Sequence, residues 1–310
     1  MSHALVTRRW LPALFAVLAF WCAPALAQEK FDSPEAAADA LVSAAKQADR
    51  KAVLDILGPD GRDVVQSGDK VADRNARDAF IAGYEKKHSM HYEGDDTSIL
   101  IIGEDSWPFP IPIVKKDGEW EFDSAAGLDE ILLRRIGRNE LSAIQASLAY
   151  VAAQNDYAAL DIDGKAPPPY AQFLMSAPGK KDGLYWATKD GETPSPLGAL
   201  FADASAEGYE FGEEPKPYHG YYYCILTSQG PDAEGGAYDY VVDGRMIGGF
   251  ALLAYPAAYG NSGIMTFMVN HDGVVFQKDL GEDTDALADK IESFDPDTSW
   301  TKVDLDTALQ

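Results

Sequence analysis

Helical periodicity of apolar and polar positions recurs along the chain. Asp32 or Ser33 suits the N-cap of the first predicted helix, Pro34 suits its first turn, and alanine-rich residues extend it to about Ala48. The longest signal covers residues 128–157, where apolar residues recur every three or four positions after a predicted interruption near Gly137. The other predicted helices cover residues 51–57, 73–88, 197–207 and 284–293.

Short runs rich in β-branched and aromatic residues predict strands in two groups. The first group covers residues 98–103, 111–116 and 119–123. The second group covers residues 221–228, 237–242, 247–255, 263–269 and 274–279. Asp-Gly pairs at 117, 243 and 272 lie between such runs and predict hairpin turns. His271, in "VNHDGVVFQKDL", is therefore expected at an exposed hairpin tip, without a catalytic or metal-binding role.

This order of elements predicts an α+β fold in two parts. An N-terminal α+β domain is expected over residues 28–136, and a C-terminal domain with a long helix and an antiparallel meander over residues 137–310. The sequence contains no internal repeat.

The first 27 residues predict a cleaved export signal. Arg8 and Arg9 precede an apolar run that is too short to span a bilayer, and Ala25-Leu26-Ala27 supplies a cleavage site after Ala27. Trp21 does not suit a lipoprotein cleavage motif before Cys22. We therefore expect a protein of the periplasm, exported and not integral to the membrane.

The formal net charge of −24 argues against binding to nucleic acid or to anionic membrane surfaces, since both repel an acidic protein. Two explanations of the acidity stay open, namely solubility and the binding of divalent cations. After cleavage Cys224 is the only cysteine, so no intramolecular disulfide is expected.

Calcium is the metal that the sequence suggests. Asp156, Asp161 and Asp163 lie in "NDYAALDIDGK" and could form a loop site, although position 12 counted from Asp161 is not acidic, as an EF-hand requires. No other cofactor is expected. His88 and His91 have metal-compatible spacing, but we expect them at a helix C-terminus, where the dipole favours histidine.

Tyr221 and Tyr223 share one face of a predicted strand, and an exposed pair of this kind could stack on sugar rings. The other interpretation places these rings in a core. Cys224 is expected to be buried, and a His219–Cys224 dyad is disfavoured because the two residues point to opposite faces of one strand.

A basic cluster stands out in the acidic chain. Arg134, Arg135 and Arg138 are expected to pair with nearby acids such as Glu140 or Asp129.

Several long segments together resemble one family of exported bacterial proteins, domain-of-unknown-function family 2950. They include "WPFPIPIVKKDGEWEFDSAAG", "YHGYYYCILTSQGP" and "SGIMTFMVNHDGVVFQKDLG". The family has no established activity, so the resemblance implies no catalytic or binding residue. The N-terminal part is also similar to NTF2-like folds and the C-terminal part to pilin heads, but such likeness carries no function.

From these observations we expect a non-enzymatic scaffold, partner-binding or envelope-assembly protein whose partner is another envelope protein. The alternative is an envelope hydrolase or a polysaccharide-binding module with a pocket between its two halves. A calcium-dependent structural protein is the third hypothesis.

Overall fold

The computed structural model describes residues 28–308, apart from residues 190, 211, 213 and 214. The predicted export signal over residues 1–27 lies outside these described residues. Within them the chain has the predicted α+β class. No helix in this part of the chain is long and apolar enough to cross a membrane.

The N-terminal half begins with helices. Ser33 caps the first, since its side chain accepts a hydrogen bond from the Ala36 amide, as the sequence indicated. The second ends at Gly58, whose positive φ of 77° suits glycine. The helices are α1 (Pro34–Lys46), α2 (Arg50–Leu57), α3 (Gly61–Val65) and α4 (Lys70–Lys86).

A five-stranded antiparallel sheet follows and packs on these helices. Its strands are β1 (His88–Tyr92), β2 (Thr97–Ile102), β3 (Trp107–Pro108), β4 (Ile113–Lys116) and β5 (Glu119–Phe122). The prediction that His88 and His91 lie at the C-terminus of a helix was wrong, because both residues lie on strand β1. Residues three apart on a strand point to opposite faces, so these two histidines do not share a ligand.

One helix, α5 (Ser124–Ala159), joins the two halves. It runs without a break through Gly137, so the predicted interruption was wrong. The predicted boundary at residue 136 therefore falls inside a continuous helix. Gly127 lets this helix approach the sheet closely, because a Cβ at that position would lie 2.7 Å from the Pro110 carbonyl oxygen.

The C-terminal half contains a five-stranded antiparallel sheet together with short strand pairs. In spatial order the strands of this sheet are β16 (Thr301–Lys302), β15 (Val275–Asp279), β14 (Met265–Asn270), β13 (Ala251–Pro256) and β8 (Tyr221–Leu226). The strand pair β6–β7 is parallel, and the sequence did not predict it. The elements are β6 (Phe173–Met175), β7 (Gly183–Tyr185), α6 (Gly198–Ala206), β8 (Tyr221–Leu226), β9 (Ser228–Gln229), β10 (Tyr238–Asp239), β11 (Val241–Val242), β12 (Arg245–Met246), β13 (Ala251–Pro256), β14 (Met265–Asn270), β15 (Val275–Asp279), α7 (Thr284–Ala288), β16 (Thr301–Lys302) and α8 (Leu305–Ala308).

Each half has its own hydrophobic core. In the first half, side chains such as Leu41, Leu100 and Phe122 are buried between helices and sheet. In the second half, α5 contributes Ile144 and Tyr150 to a larger core against the meander. The long helix thus connects two separately packed cores.

Polar contacts hold the two halves together at two points. At the Asp69 junction, the Asp69 carboxylate accepts hydrogen bonds from Tyr209 and Gly220 of the second half. At the Arg135 junction, the Arg135 guanidinium contacts both the α3 segment and Asn261. The Asp69 contacts are buried and those of Arg135 are half-buried or exposed, and together they link the two halves.

The three predicted Asp-Gly turns do not all have the same backbone conformation. Asp117-Gly118 and Asp243-Gly244 both have positive φ at both residues, as a type I′ hairpin turn requires. At the third turn only Gly273 has a positive φ. His271 is half-buried beside it, with its ring 5.8 Å from that of Tyr240, so the expectation of an exposed tip was wrong.

Candidate docking site

A cavity of the second half opens beside the Asp69 junction. It has a volume of about 630 Å³ and lies between the end of α6, the loop after it and the strand pair β6–β7. Its lining residues are Met175, Tyr185, Ser205, Gly208, Tyr209 and Glu210.

The strand pair sets one wall of this cavity. Gly183 has no room for a side chain, since a Cβ there would lie 2.5 Å from the Met175 carbonyl carbon. The strands therefore approach closely and fix Met175 and Tyr185 at the cavity wall. The Tyr185 ring in turn stacks on Phe201 of α6 at 4.2 Å, with the planes 7° apart. This wall is formed by the thioether of Met175 and the stacked ring of Tyr185.

Tyr209 forms the opposite wall and connects the cavity to the first half. Its hydroxyl donates to Asp69 Oδ2 at 2.8 Å and accepts from the His219 amide at 3.3 Å. Burial and the hydrogen bond to Asp69 both raise the pKa of Tyr209, so its phenol stays protonated. Tyr209 therefore acts as a hydrogen-bond donor in a structural contact, not as a base.

An aromatic cluster lies behind Tyr209. The rings of Tyr218 and His219 are 4.2 Å apart, and His219 Nε2 is 3.3 Å from the Glu207 carboxylate. The Tyr223 hydroxyl is buried nearby without a hydrogen-bond partner in the described part of the chain. Burial raises the pKa of Tyr223, so this phenol also stays protonated.

The exposed pair of Tyr221 and Tyr223 does not form, and Tyr221 follows the other interpretation, which places these rings in a core. Tyr221 is 0 % exposed and donates to the Met265 carbonyl oxygen at 2.9 Å. Its ring fills the space that Gly263 leaves, where a Cβ would lie 2.1 Å from the Tyr221 hydroxyl. A fully buried ring offers no face to a sugar.

Cys224 is exposed on β8, so the expectation that it is buried was wrong. It lies opposite Leu253 on the neighbouring strand, whereas His219 is held by Glu207. The structure therefore gives no support to a dyad between Cys224 and His219.

Arg245 organises an exposed apolar surface next to the cavity. Its guanidinium donates to both carboxylate oxygens of Asp163, at 2.7 and 3.2 Å, and to the carbonyls of Lys165 and Pro167. The Gln172 side chain donates to the Gly244 carbonyl at 2.9 Å. Two chain segments are thus tied to the β11–β12 hairpin.

The tied segments expose large apolar side chains. Phe173 is 56 % exposed. Met175, two residues further along the same strand, lines the cavity. We call this region the Arg245 surface and define it by the exposed side chains of Leu160, Ile162, Phe173, Met175 and Val242. Grouped exposed apolar residues of this kind mark interaction sites on soluble proteins.

The three predicted calcium ligands are not brought together. Asp163 is bound by Arg245, and Asp156 is exposed on the last turn of α5. In the described residues, no group of three acidic, histidine or cysteine side chains is arranged to hold a metal ion. The calcium site involving Asp156, Asp161 and Asp163 stays a prediction from the sequence.

Arg134 of the arginine cluster pairs with a nearby acid as expected, namely Glu130 at 2.6 Å. Glu140 is not its partner, since Glu140 accepts the amides of Ile264 and Met265 at 3.0 Å each. Arg135 is half-buried and donates to the backbone carbonyls of Asp63 and Val64. Burial lowers the pKa of its guanidinium.

The chain matches the model of one known protein family. A family model described as "Protein of unknown function (DUF2950)" matches residues 28–303. The chain belongs to this family. No curated protein and no solved structure matches it significantly. The likenesses of this DUF2950 member to NTF2-like folds and to pilin heads stay predictions.

Sequence reasoning missed the residues that define the site. Asp69 could have been found as a helix cap, since it precedes Lys70 and accepts from the amides of Val71 and Ala72. Its contact with Tyr209 spans 140 positions, and no local pattern shows such a contact. Phe173 and Met175 also gave no signal, because an exposed apolar residue cannot be distinguished from a buried one by its identity alone.

Proposed function

We propose that this DUF2950 member is an exported, non-enzymatic protein of the periplasm that binds another envelope protein on the Arg245 surface. The observation that carries the proposal is the set of exposed apolar side chains on the two segments that Arg245 and Gln172 tie to the β11–β12 hairpin. Such an arrangement costs solubility unless the surface is covered by a partner.

The rigidity of this surface supports a docking role. Arg245 makes four hydrogen bonds to the segment that carries Leu160 and Ile162, and the β11–β12 hairpin carries Val242. A preorganised surface loses little conformational entropy when a partner binds. The Asp69 junction, next to the cavity, fixes the same half against the N-terminal half.

Charge around the surface indicates the chemistry of the partner. Asp161, Asp239 and Asp243 are exposed close in sequence to the apolar residues. An apolar segment flanked by lysine or arginine would therefore complement both the centre and the rim. We propose that the partner presents such a segment, with a large apolar side chain entering the cavity beside Met175.

Site-specific photocrosslinking in cells tests this proposal. We expect p-benzoylphenylalanine at position 173 and at position 242 to capture the same envelope protein, through a segment with basic residues beside apolar ones. Leu133, which is 69 % exposed on α5, is the matched control position for an apolar residue away from the surface. The measurement is mass spectrometry of the crosslinked peptides.

A Phe173→Ser variant provides the second arm. It is expected to abolish capture from position 242 and to leave the thermal melting temperature unchanged, because the ring is mostly in solvent. Capture of the same protein from position 133, or of a second copy of this chain from position 173, contradicts the proposal. Undiminished capture from position 242 in the Phe173→Ser variant also contradicts it.

A further inference from the structure

Strand β1 forms an open edge of the N-terminal sheet. It lies at one end of the strand order and pairs only with β2 in the described part of the chain. The strand at the other end, β5, is covered, because Phe31 exchanges two backbone hydrogen bonds with Trp120. No such segment covers β1 among the described residues, and four of its five residues are exposed. The edge is therefore available for pairing.

The hydrogen bonds at the two ends of β1 show which of its backbone groups point outward. The Gly103 amide donates to the Lys87 carbonyl oxygen at 2.8 Å. At the other end, the Glu93 amide donates to the Thr97 carbonyl oxygen at 2.9 Å. Since backbone groups alternate in direction along an antiparallel strand, the odd-numbered residues bond to β2 and the even-numbered ones point away from it. The outward amides and carbonyls, which have no hydrogen-bond partner among the described residues, are those of His88, Met90 and Tyr92.

Strand β1 lacks the features that usually keep a free edge from pairing with another chain. Natural edge strands carry lysine, proline or a bulge for this purpose. The sequence of β1, "HSMHY", contains neither lysine nor proline, and its five residues pair with β2 in unbroken register. It also contains no carboxylate, although the chain has 50 acidic side chains. An added strand therefore meets no repelling charge on β1 itself.

The residues that flank β1 suit pairing with a second copy of the same strand. Lys87 precedes the strand and Glu93 follows it, and neither forms an ion pair within the described residues. If two copies pair antiparallel with Met90 at the two-fold axis, Lys87 of each copy lies opposite Glu93 of the other. Opposite charges directly across an antiparallel pair stabilise it, and like charges destabilise it. The flanking charges thus favour this chain itself as the partner.

The same register pairs every outward backbone group of β1. Met90 exchanges two hydrogen bonds with Met90 of the other copy, and His88 exchanges two with Tyr92 of the other copy on each side of the axis. His88 and Tyr92 also form an aromatic pair across the strands. A depression of about 310 Å³, lined by His88 and Met90, opens between this edge and α1. Side chains of the added strand therefore have space on the helix side of the sheet.

We infer that β1 pairs antiparallel with β1 of a second copy, which joins the two five-stranded N-terminal sheets into one continuous sheet. The Arg245 surface belongs to the other half of each copy. The inference does not depend on the partner proposed for that surface, and the purified protein tests it without that partner.

Sedimentation velocity of the purified protein, from micromolar to near-millimolar concentration, is the first test. We expect a reversible equilibrium between monomer and dimer, because a single strand edge forms a small interface and small interfaces are weak. A protein that stays monomeric over the whole range overturns the inference.

Reversal of the flanking charges tests the register. Lys87→Glu and Glu93→Lys should each weaken dimerisation at least tenfold, because each places like charges opposite one another on both sides of the axis. The double variant should recover the wild-type affinity within threefold. Lys87 and Glu93 lie at opposite ends of one strand, so this recovery requires a second copy.

A third lysine gives the matched control for net charge. Lys290 is exposed in the C-terminal half, and Lys290→Glu should change the dimer affinity by less than twofold. Equal weakening by Lys290→Glu and Lys87→Glu overturns the inference, and so does a double variant that fails to recover. Unchanged melting temperatures verify that these surface variants fold.

A Met90→Pro variant tests the backbone pairing directly. Proline at position 90 keeps the bonds between β1 and β2, because the Met90 amide points away from β2, but it removes the donor at the two-fold axis. We expect this variant to be monomeric at every concentration. Met90→Ala is the control, since it keeps the amide and should still dimerise. Dimerisation of Met90→Pro with wild-type affinity, or equal loss of the dimer in both variants, contradicts the pairing.

Discussion

An Asp69→Ala substitution is expected to lower the free energy of unfolding by about 3–5 kcal/mol, one of the largest losses for a single polar side chain in this protein. Asp69 is 1 % exposed, and its two carboxylate oxygens accept four hydrogen bonds. Two of these donors are the amides of Val71 and Ala72 in the first turn of α4. The other two are Tyr209 and Gly220, so the substitution leaves buried donors unpaired in both halves.

The measurement is urea unfolding followed by circular dichroism. Asp49→Ala is the matched control, because Asp49 caps α2 through the Ala52 amide but is exposed. That control should lose only about 1 kcal/mol, the usual value of a helix cap. Equal losses of unfolding free energy in the two variants would show that the hydrogen bonds from Tyr209 and Gly220 add no stability beyond that of the helix cap.

The Asp69 junction also explains why the site lies where it does. Tyr209 is both a wall of the cavity and the donor to Asp69, so the cavity shape depends on the position of α4 in the first half. Any segment bound beside Met175 is therefore held by a surface whose geometry the two halves define together. We expect the Asp69→Ala variant to weaken partner capture even at temperatures where it remains folded.

Local rules predicted much of the fold. The Ser33 cap and the Asp117-Gly118 turn depend on residues close in sequence, and the structure confirms them. The helix break at Gly137 was wrong because a glycine costs a helix only about 1 kcal/mol, which neighbouring residues with high helix propensity offset. Strand β1 was missed because "HSMHY" is polar and mostly exposed.

Residues of the candidate site were harder to predict, for a physical reason. The Cys224 side chain is exposed on β8, and the sequence of a strand does not reveal which part of each sheet face is covered by other elements. Tyr221 is buried because Gly263, 42 positions away, leaves room for its ring. Both outcomes depend on tertiary packing that local pattern does not encode.

An Arg135→Met substitution is expected to lower the free energy of unfolding by about 3 kcal/mol. The Arg135 guanidinium donates to the carbonyls of Asp63 and Val64 at the end of α3, at 2.8 and 2.6 Å, and to the Asn261 side chain. Methionine keeps the apolar stem but removes every donor, so the last carbonyls of α3 and the Asn261 amide oxygen lose their partner.

The neighbouring arginine gives a matched control for this loss. Arg134 is exposed and pairs only with Glu130 one turn away, so Arg134→Met should change stability by about 0.5 kcal/mol or less. Hydrogen exchange should locate the difference, with faster exchange at residues 61–66 and 258–263 in the Arg135 variant alone. An Arg135→Lys variant should recover only part of the stability, because an ammonium cannot reach both carbonyls and Asn261 in the geometry of a planar fork. Full recovery by lysine would mean that positive charge, and not the directed hydrogen bonds, joins α3 to the second half.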